Sequence, residues 1–472
     1  MAERLAQRLD KTYPFVGVPQ QRGLGTGDQR YVNVVFERVP NDILKEHVVY
    51  CNKRPGISSF LTPGVQTSTG RGIYSWMGTT HAVIGNRLWT GTVSTSLNTS
   101  SGRCWFAETH VDTGNRQMIM CDGIDDYDVT SSNVVTRINA GSVTNYPVSS
   151  LGSILTMDGY LFHGQPNGRI TNTAINTVST FPATAFLTAD THGGELEAIY
   201  MQKDQICALT KNRIEFFFNN GNPVGSPLLR IDQNTIYVGL ASRESLAWFG
   251  ETACFAGENA EGGRSLYQMA SFKMVEVSTP VINRFLNAEG LAISSCTAWM
   301  APVAGQLLYC LNLQSANRSF VYGVETGLWS EWTSQAGGRF NCVSAAYRDG
   351  VTYLQDVSSG QIHSLSTSFF QDNASSFTVT LQTPRQNFAT PMRKFERELS
   401  IIGDRTTGNC EVSVSDDDYE SFDAARNIDM SLQRKRVTRL GNFYERSHRF
   451  QYTGTSSFRV QGYVPHIERG SR

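Results

Sequence analysis

Between residues 76 and 370 the chain repeats one short phrase seven times: an apolar run, a tight polar turn and a second apolar run. The turns fall near residues 86, 122, 158, 204, 251, 305 and 349. Three of them carry Asp-Gly, as in Ile154–Leu155–Thr156–Met157 before Asp158–Gly159 and Tyr160–Leu161–Phe162 after it. Both turn residues tolerate the positive φ that a tight hairpin demands, so each phrase reads as a β-hairpin. Successive turns lie 36 to 54 residues apart. The mean of about 44 is the length of a four-stranded propeller blade. The pattern predicts a degenerate β-propeller of five to seven blades, with a β-sandwich or another all-β array as the competing arrangement.

Composition agrees with short strands and many turns. Charged residues are 18% of the 472-residue chain, below the roughly 25% of an average globular protein. Hydrophobic residues at 40% and aromatics at 11% are enough for a sizeable core. Net charge is −1. A dedicated DNA binder draws its affinity from an excess of basic side chains, which this chain lacks. Nine cysteines stand in scattered, mostly apolar positions without a C-x-x-C pair, which predicts free, buried, reduced thiols. Met1–Asp10 is charged and reads as no signal peptide. No apolar run approaches the ~20 residues that span a bilayer.

The repeats have flanks of a different kind. Residues 1–75 read as an extended arm, with glycines at 23, 25 and 27, a strand at Tyr31–Phe36, a short helix at Asp42–Glu46 and a turn at Arg54–Pro55–Gly56. Residues 76–370 form the expected propeller. In it, Tyr322 and Trp329 face each other across a tight turn, placed to fill the wedge between blades. Residues 371–472 are richer in charge and predict a separate β-sandwich-like domain, with strands at 377–382, 398–402, 411–415, 446–452 and 458–462.

A search for chemistry finds structural explanations throughout. The eight histidines show no H-x-x-x-H or H-E-x-x-H spacing, and no P-loop or G-x-S-x-G occurs. Neither a catalytic, a cofactor nor a metal site is expected. Gly23–Leu24–Gly25–Thr26–Gly27 precedes a strand rather than opening a helix, which a nucleotide loop would do. Asp125, Asp126 and Asp128 cluster after a turn, but their spacing matches no cation loop and reads as solvated. Two charged runs stand out in the last domain: Asp416–Asp417–Asp418, and Arg434–Lys435–Arg436 with Arg439. They are candidates for pairing with each other, within or between subunits.

Ser413–Phe422 loosely resembles the Asp box of sialidase-type propellers, a structural hairpin, although the expected Gly is missing. A more extensive likeness joins the two ends. Tyr31–Val32–Asn33, Pro40 and Arg54–Pro55–Gly56–Ile57, then Ser413–Asp417, Lys435–Gly441 and Arg449–Phe450, resemble the course of the packaged-DNA stabilisation proteins of short-tailed phages. These are also called tail hub or nozzle proteins. The resemblance implies a non-enzymatic virion protein, assembled in the host cytoplasm, that forms a homohexameric ring in the tail. It implies a propeller plus a platform domain, docked beneath the adaptor (head-to-tail connector) ring. Tailspikes or fibres would attach outside, and a needle or plug would help retain the genome. It makes the arm and residues 371–472 the contact regions, with Tyr31, Arg54, Asp416, Asp417, Asp418, Arg434, Lys435, Arg436 and Arg439 as candidate contacts to neighbours or adaptor. Double-stranded DNA would pass through the lumen without sequence-specific binding. A near-neutral chain suits such passage, because a wall that gripped phosphates would slow it. The alternative is a glycan-binding or sialidase-like propeller of a tail fibre.

Overall fold

The computed structural model describes residues 11–16, 29–41, 46–61, 68–91, 93–112, 115–189 and 195–470. Among these, seven consecutive antiparallel sheets form the blades of a β-propeller. Blades 1 to 6 span 70–96, 105–138, 154–188, 196–230, 239–276 and 297–332. Blade 7 takes three strands from 342–366 and its fourth from Gly56–Leu61. That exchange closes the ring: a strand from before blade 1 completes the last blade, so no end of the ring is left to fray. First strands of neighbouring blades pack side by side, as Gly70–Trp76 does on Cys342–Arg348 and Thr297–Val303 on Cys342–Arg348. Apolar layers then fill the space between blades.

The hairpins form where turn chemistry permits. Asp158–Gly159, Ala304–Gly305 and Asp349–Gly350 all hold positive φ at both residues, the backbone twist that matches two paired strands. Tyr322 and Trp329 are direct cross-strand partners with ring centroids 4.9 Å apart. The Trp329 indole donates to the Val277 carbonyl at 2.7 Å, which ties blade 6 to the end of blade 5. The α-helix Pro280–Ala288 joins these blades; Thr279 caps it, and Ile282 and Leu286 are its buried face. No helix among the described residues is long and apolar enough to cross a membrane.

A second body, the platform, is a two-layer β-sandwich. One layer has the order Val34–Asn41, Glu46–Lys53, Arg459–Arg469, Lys394–Gly403, Arg436–Phe443, with Tyr13–Pro14 added beside Arg459–Arg469. The other runs Arg30–Val32, Val379–Gln382, Ser447–Tyr452, Asn409–Ser415, Arg426–Asp429. Phe36, Leu381, Leu399, Val412, Phe450 and Val460 are among the residues buried between them. The second layer does not stop at the platform. Val32 pairs in parallel with Glu331 of blade 6, so blade and platform share one nine-stranded sheet.

The arm is therefore not separate where it is described. Strands within 30–53 belong to the platform and Gly56–Leu61 to blade 7, while the boundary drawn at 75 cuts through the first strand of blade 1. The glycines at 23, 25 and 27 and the residues Met1–Asp10 lie outside the described residues. Of the helix expected at Asp42–Glu46, residues 42–45 lie outside them too, and Glu46 opens a strand. Ser413–Phe422 belongs to the platform rather than to a blade, in the connection after Asn409–Ser415. All nine cysteines are buried and free.

Candidate functional site

A dense polar junction sits where arm, propeller and platform meet. Asn33 adopts φ +58°, a left-handed turn that Asn accepts more readily than most residues. Its backbone N–H donates to the Glu331 carbonyl at 2.7 Å. Its side-chain amide donates to Thr333 Oγ1 and to the Thr378 carbonyl, both at 2.8 Å. Asn33 Oδ1 in turn accepts from Thr333 N–H at 2.9 Å and from Arg54 Nε at 3.0 Å. One side chain thus joins the arm, blade 6 and the strand that follows the propeller.

Arg54 completes this junction. It is fully buried. Its guanidinium meets Asp372 at 3.0 and 2.5 Å and donates to the Thr333 carbonyl at 3.1 Å. The ring of Phe377 lies 3.8 Å beneath it and that of Phe340 at 4.8 Å. Such a planar, bidentate, stacked arrangement is one that Arg makes and Lys does not. Burial and the neighbouring Arg54 charge together push Lys53 down to about 8. Its ammonium donates to the Gly454 carbonyl at 2.6 Å.

Two of the sequence-derived contact residues are consumed here. Arg54 has no surface left to offer another subunit, because burial and internal partners occupy it. The Tyr31 hydroxyl donates to the Phe15 carbonyl, and its ring packs edge-on to Phe36 at 5.2 Å.

Within the chain the charged runs of the platform meet other partners. Asp416 receives both Arg446 Nε and Nη2 at 2.7 Å. Asp417 accepts from the Ser421 and Ser415 hydroxyls, which hold it down at about 2. Asp418, at φ +62°, lies 3.3 Å from Arg385. On the basic side, Lys435 is buried and donates to the Gly403 carbonyl at 2.8 Å. Arg436 meets Glu398 at 3.1 Å. Arg434 and Arg439 are exposed. The basic run lies on and just before Arg436–Phe443, an edge strand, where charged side chains discourage unwanted strand addition and leave a surface for a specific neighbour.

Sequence reasoning missed the cluster that holds the platform layers together. Glu396, Arg446 and His448 are all buried. Glu396 accepts from Arg446 at 3.0 Å and meets His448 Nε2 at 3.0 Å. Burial alone would raise the Glu396 carboxyl, but His448 and Arg446 outweigh it and hold it below the usual carboxylate range. These residues lie 50 and 52 positions from Glu396, so no local motif marks them.

A cavity of about 360 Å³ opens on the propeller axis. Tyr74, Trp105, Trp248, Trp299 and Tyr347 line it together with Arg103. Arg103 donates to the Leu246 carbonyl at 2.9 Å and lies 4.6 Å from the Trp105 ring.

Comparison with known proteins gives one extensive match. A family model, Phage_stabilise, described as "Bacteriophage P22 Gp10, beta-propeller", matches residues 28–369. That span holds all seven blades and the platform strands Arg30–Val32, Val34–Asn41 and Glu46–Lys53. No curated protein matches the chain. Among solved structures, a virginiamycin B lyase from Staphylococcus aureus is 12% identical with TM-score 0.43, covering 65% of this chain and 98% of the lyase. The WD40 β-propeller domain of Doa1 is 11% identical with TM-score 0.39, covering 66% of this chain and 97% of that domain. Likenesses this weak say nothing about activity.

Proposed function

Because this chain belongs to the phage stabilisation family typified by the Bacteriophage P22 Gp10 β-propeller, and is therefore a phage structural protein, we propose that it is the tail hub subunit of a short-tailed phage. Six copies form a ring beneath the adaptor, extend the DNA channel, help retain the packaged genome and conduct it at ejection. The ring carries tailspikes or fibres outside and meets a needle or plug at its tip.

The observation that carries this reading is the nine-stranded sheet shared by blade 6 and the platform. Blade and platform are joined by backbone hydrogen bonds and by the buried Asn33–Arg54–Asp372 junction, not by a linker. A ring under DNA pressure needs subunits that transmit load without hinging, and a continuous sheet supplies that. The platform then offers the basic edge strand Arg436–Phe443 as a face for a neighbour or the adaptor. Exposed ion pairs there set register more than affinity, at about 0–1 kcal/mol each. The near-neutral net charge of −1 suits a lumen through which DNA must slide.

Mass measurement of the full chain, alone and mixed with its adaptor, tests the reading. A six-subunit ring, or a monomer that becomes six copies on the adaptor, is expected. A monomer that ignores the adaptor would refute it. Turnover of a sialoside would instead favour the glycan-cleaving alternative.

A further inference from the structure

Three side chains between blades 2 and 3 form a compact, fully buried cluster of metal-ligating donors. Cys121 ends the strand Asn115–Cys121, and Asp126 opens Asp126–Thr130. The hairpin makes them direct cross-strand partners, so their side chains leave the same face. His163 comes from Tyr160–Gly164 of blade 3. All three are completely buried, and one donor atom from each lies within 4.8 Å of the other two. His163 Nε2 and Asp126 Oδ2 are 3.1 Å apart.

The other carboxylates of the hairpin are spoken for. Asp122 accepts from the Ile124 and Asp125 backbone N–H groups at 3.0 and 2.8 Å. Asp125 meets Arg137, and Asp128 accepts from Gln117 at 2.7 Å. All three of Asp125, Asp126 and Asp128 are buried, so the solvated loop expected from the sequence is not what forms. Asp126 differs from its neighbours: its polar contacts are to the cluster itself, with His163 Nε2 at 3.1 Å and the Tyr146 hydroxyl and Cys121 thiol beside it. The Tyr146 hydroxyl is buried beside them, next to the Asp126 carboxylate. The Tyr146 and Phe181 rings stand edge-on to the imidazole at 6.2 and 5.6 Å and fix its plane. A buried carboxylate and imidazole that meet only the other members of such a cluster are costly to keep without a further partner.

We propose that Cys121, Asp126 and His163 bind a zinc ion that staples blade 2 to blade 3. Zinc takes thiolate, imidazole and carboxylate donors in a tetrahedron. Two nitrogen or oxygen ligands on one such ion sit about 3.3 Å apart, close to the His163–Asp126 separation. The thiolate selects zinc over calcium or magnesium, which prefer sites made of oxygen donors alone. Charge also balances: one dication meets one thiolate and one carboxylate beside a neutral imidazole. On binding, the Cys121 thiol proton leaves to solvent and the metal takes its place. The Tyr146 hydroxyl, or the second oxygen of Asp126, fills the fourth position. With every donor buried, the site is of the closed, structural kind.

Elemental analysis of the full-length protein, purified under reducing conditions with zinc present, tests this. One zinc per chain is expected, lost in Cys121→Ser and in His163→Gln. Cobalt(II) added to the metal-free wild type should give thiolate-to-cobalt charge-transfer absorption. A zinc chelator should lower the thermal midpoint of the wild type. These last two readouts do not depend on the variants folding. Folded wild type with neither zinc nor the cobalt band would overturn the proposal. So would a folded Cys121→Ser protein that still holds its full equivalent of zinc.

Discussion

The guanidinium of Arg54 and the carboxylate of Asp372, 318 residues apart in sequence, face each other across two short hydrogen bonds inside the protein. This pair locks the segment entering the propeller to the segment leaving it. Replacing Arg54 with Ala leaves Asp372 as a buried charge without its partner. The expected loss is about 3–5 kcal/mol in urea unfolding. Arg54→Lys should recover little, because an ammonium cannot reproduce the planar fork stacked on Phe377. The double variant Arg54→Ala/Asp372→Ala should be more stable than Arg54→Ala alone, since it removes the stranded charge.

Gly56, two residues on, is required by space rather than by flexibility. A Cβ there would stand 2.1 Å from the Gln371 carbonyl oxygen. That oxygen is backbone and cannot swing away. Gly56→Ala should therefore cost about 1–3 kcal/mol or more. It should also loosen Gly56–Leu61 as the closing strand of blade 7, read as faster amide exchange in 56–61 and 362–366 than elsewhere in the propeller.

The buried thiols make the fold sensitive to alkali. Burial pushes Cys104, Cys207 and Cys296 up to about 12 and Cys51, Cys254, Cys310 and Cys410 higher still. In the unfolded chain these groups ionise near their ordinary value of 9.0. Above that pH the unfolded state binds fewer protons than the folded one, so stability falls as pH rises. Each thiol contributes about 1.4 kcal/mol per pH unit. The midpoint of urea unfolding should drop steeply above pH 9. Cys51→Ala and Cys254→Ala should each make the decline shallower.

Glu396 predicts the acid behaviour of the platform. Its folded value is held below its ordinary 4.5 by His448 and Arg446. Its stabilisation is thus fully present above about pH 4.5 and is lost as pH falls through the depressed folded value. Glu396→Gln should abolish this part of the acid limb. At neutral pH it should cost several kcal/mol, about 3–5 where a buried pair is broken. Unfolding from pH 7 to pH 3 in both proteins checks the sign.

The propeller was readable because its hairpins carry a backbone requirement that only a few residue types meet. Asp158–Gly159 and Asp349–Gly350 announce themselves by positive φ at both positions. The rhythm was misplaced in the first two blades for the same reason. Gly85–Asn86 and the turn after Cys121 join second strands to third, whereas the later turns join first to second. The first hairpin of blade 1 turns at Met77–Gly78, with φ of 47° and 74°, and Met at such a position gives no warning. Long-range polar contacts were illegible. Asn33 and Arg54 stood out as motif residues, but nothing local says that their partners are Thr333 and Asp372. Arg439, at φ +64°, breaks the alternation of the strand Arg436–Phe443. The donors Cys121, Asp126 and His163 share no ligand spacing, since a blade interface brings them together.

Single-particle electron microscopy of virions, or of tails assembled with the portal and adaptor, asks whether the proposed hub forms a ring in a phage tail. Six copies are expected beneath the adaptor, with the platform layer containing Arg436–Phe443 at a contact to the adaptor or to the next copy. Tails that lack this chain, or that carry it as isolated single copies away from the channel, would contradict it.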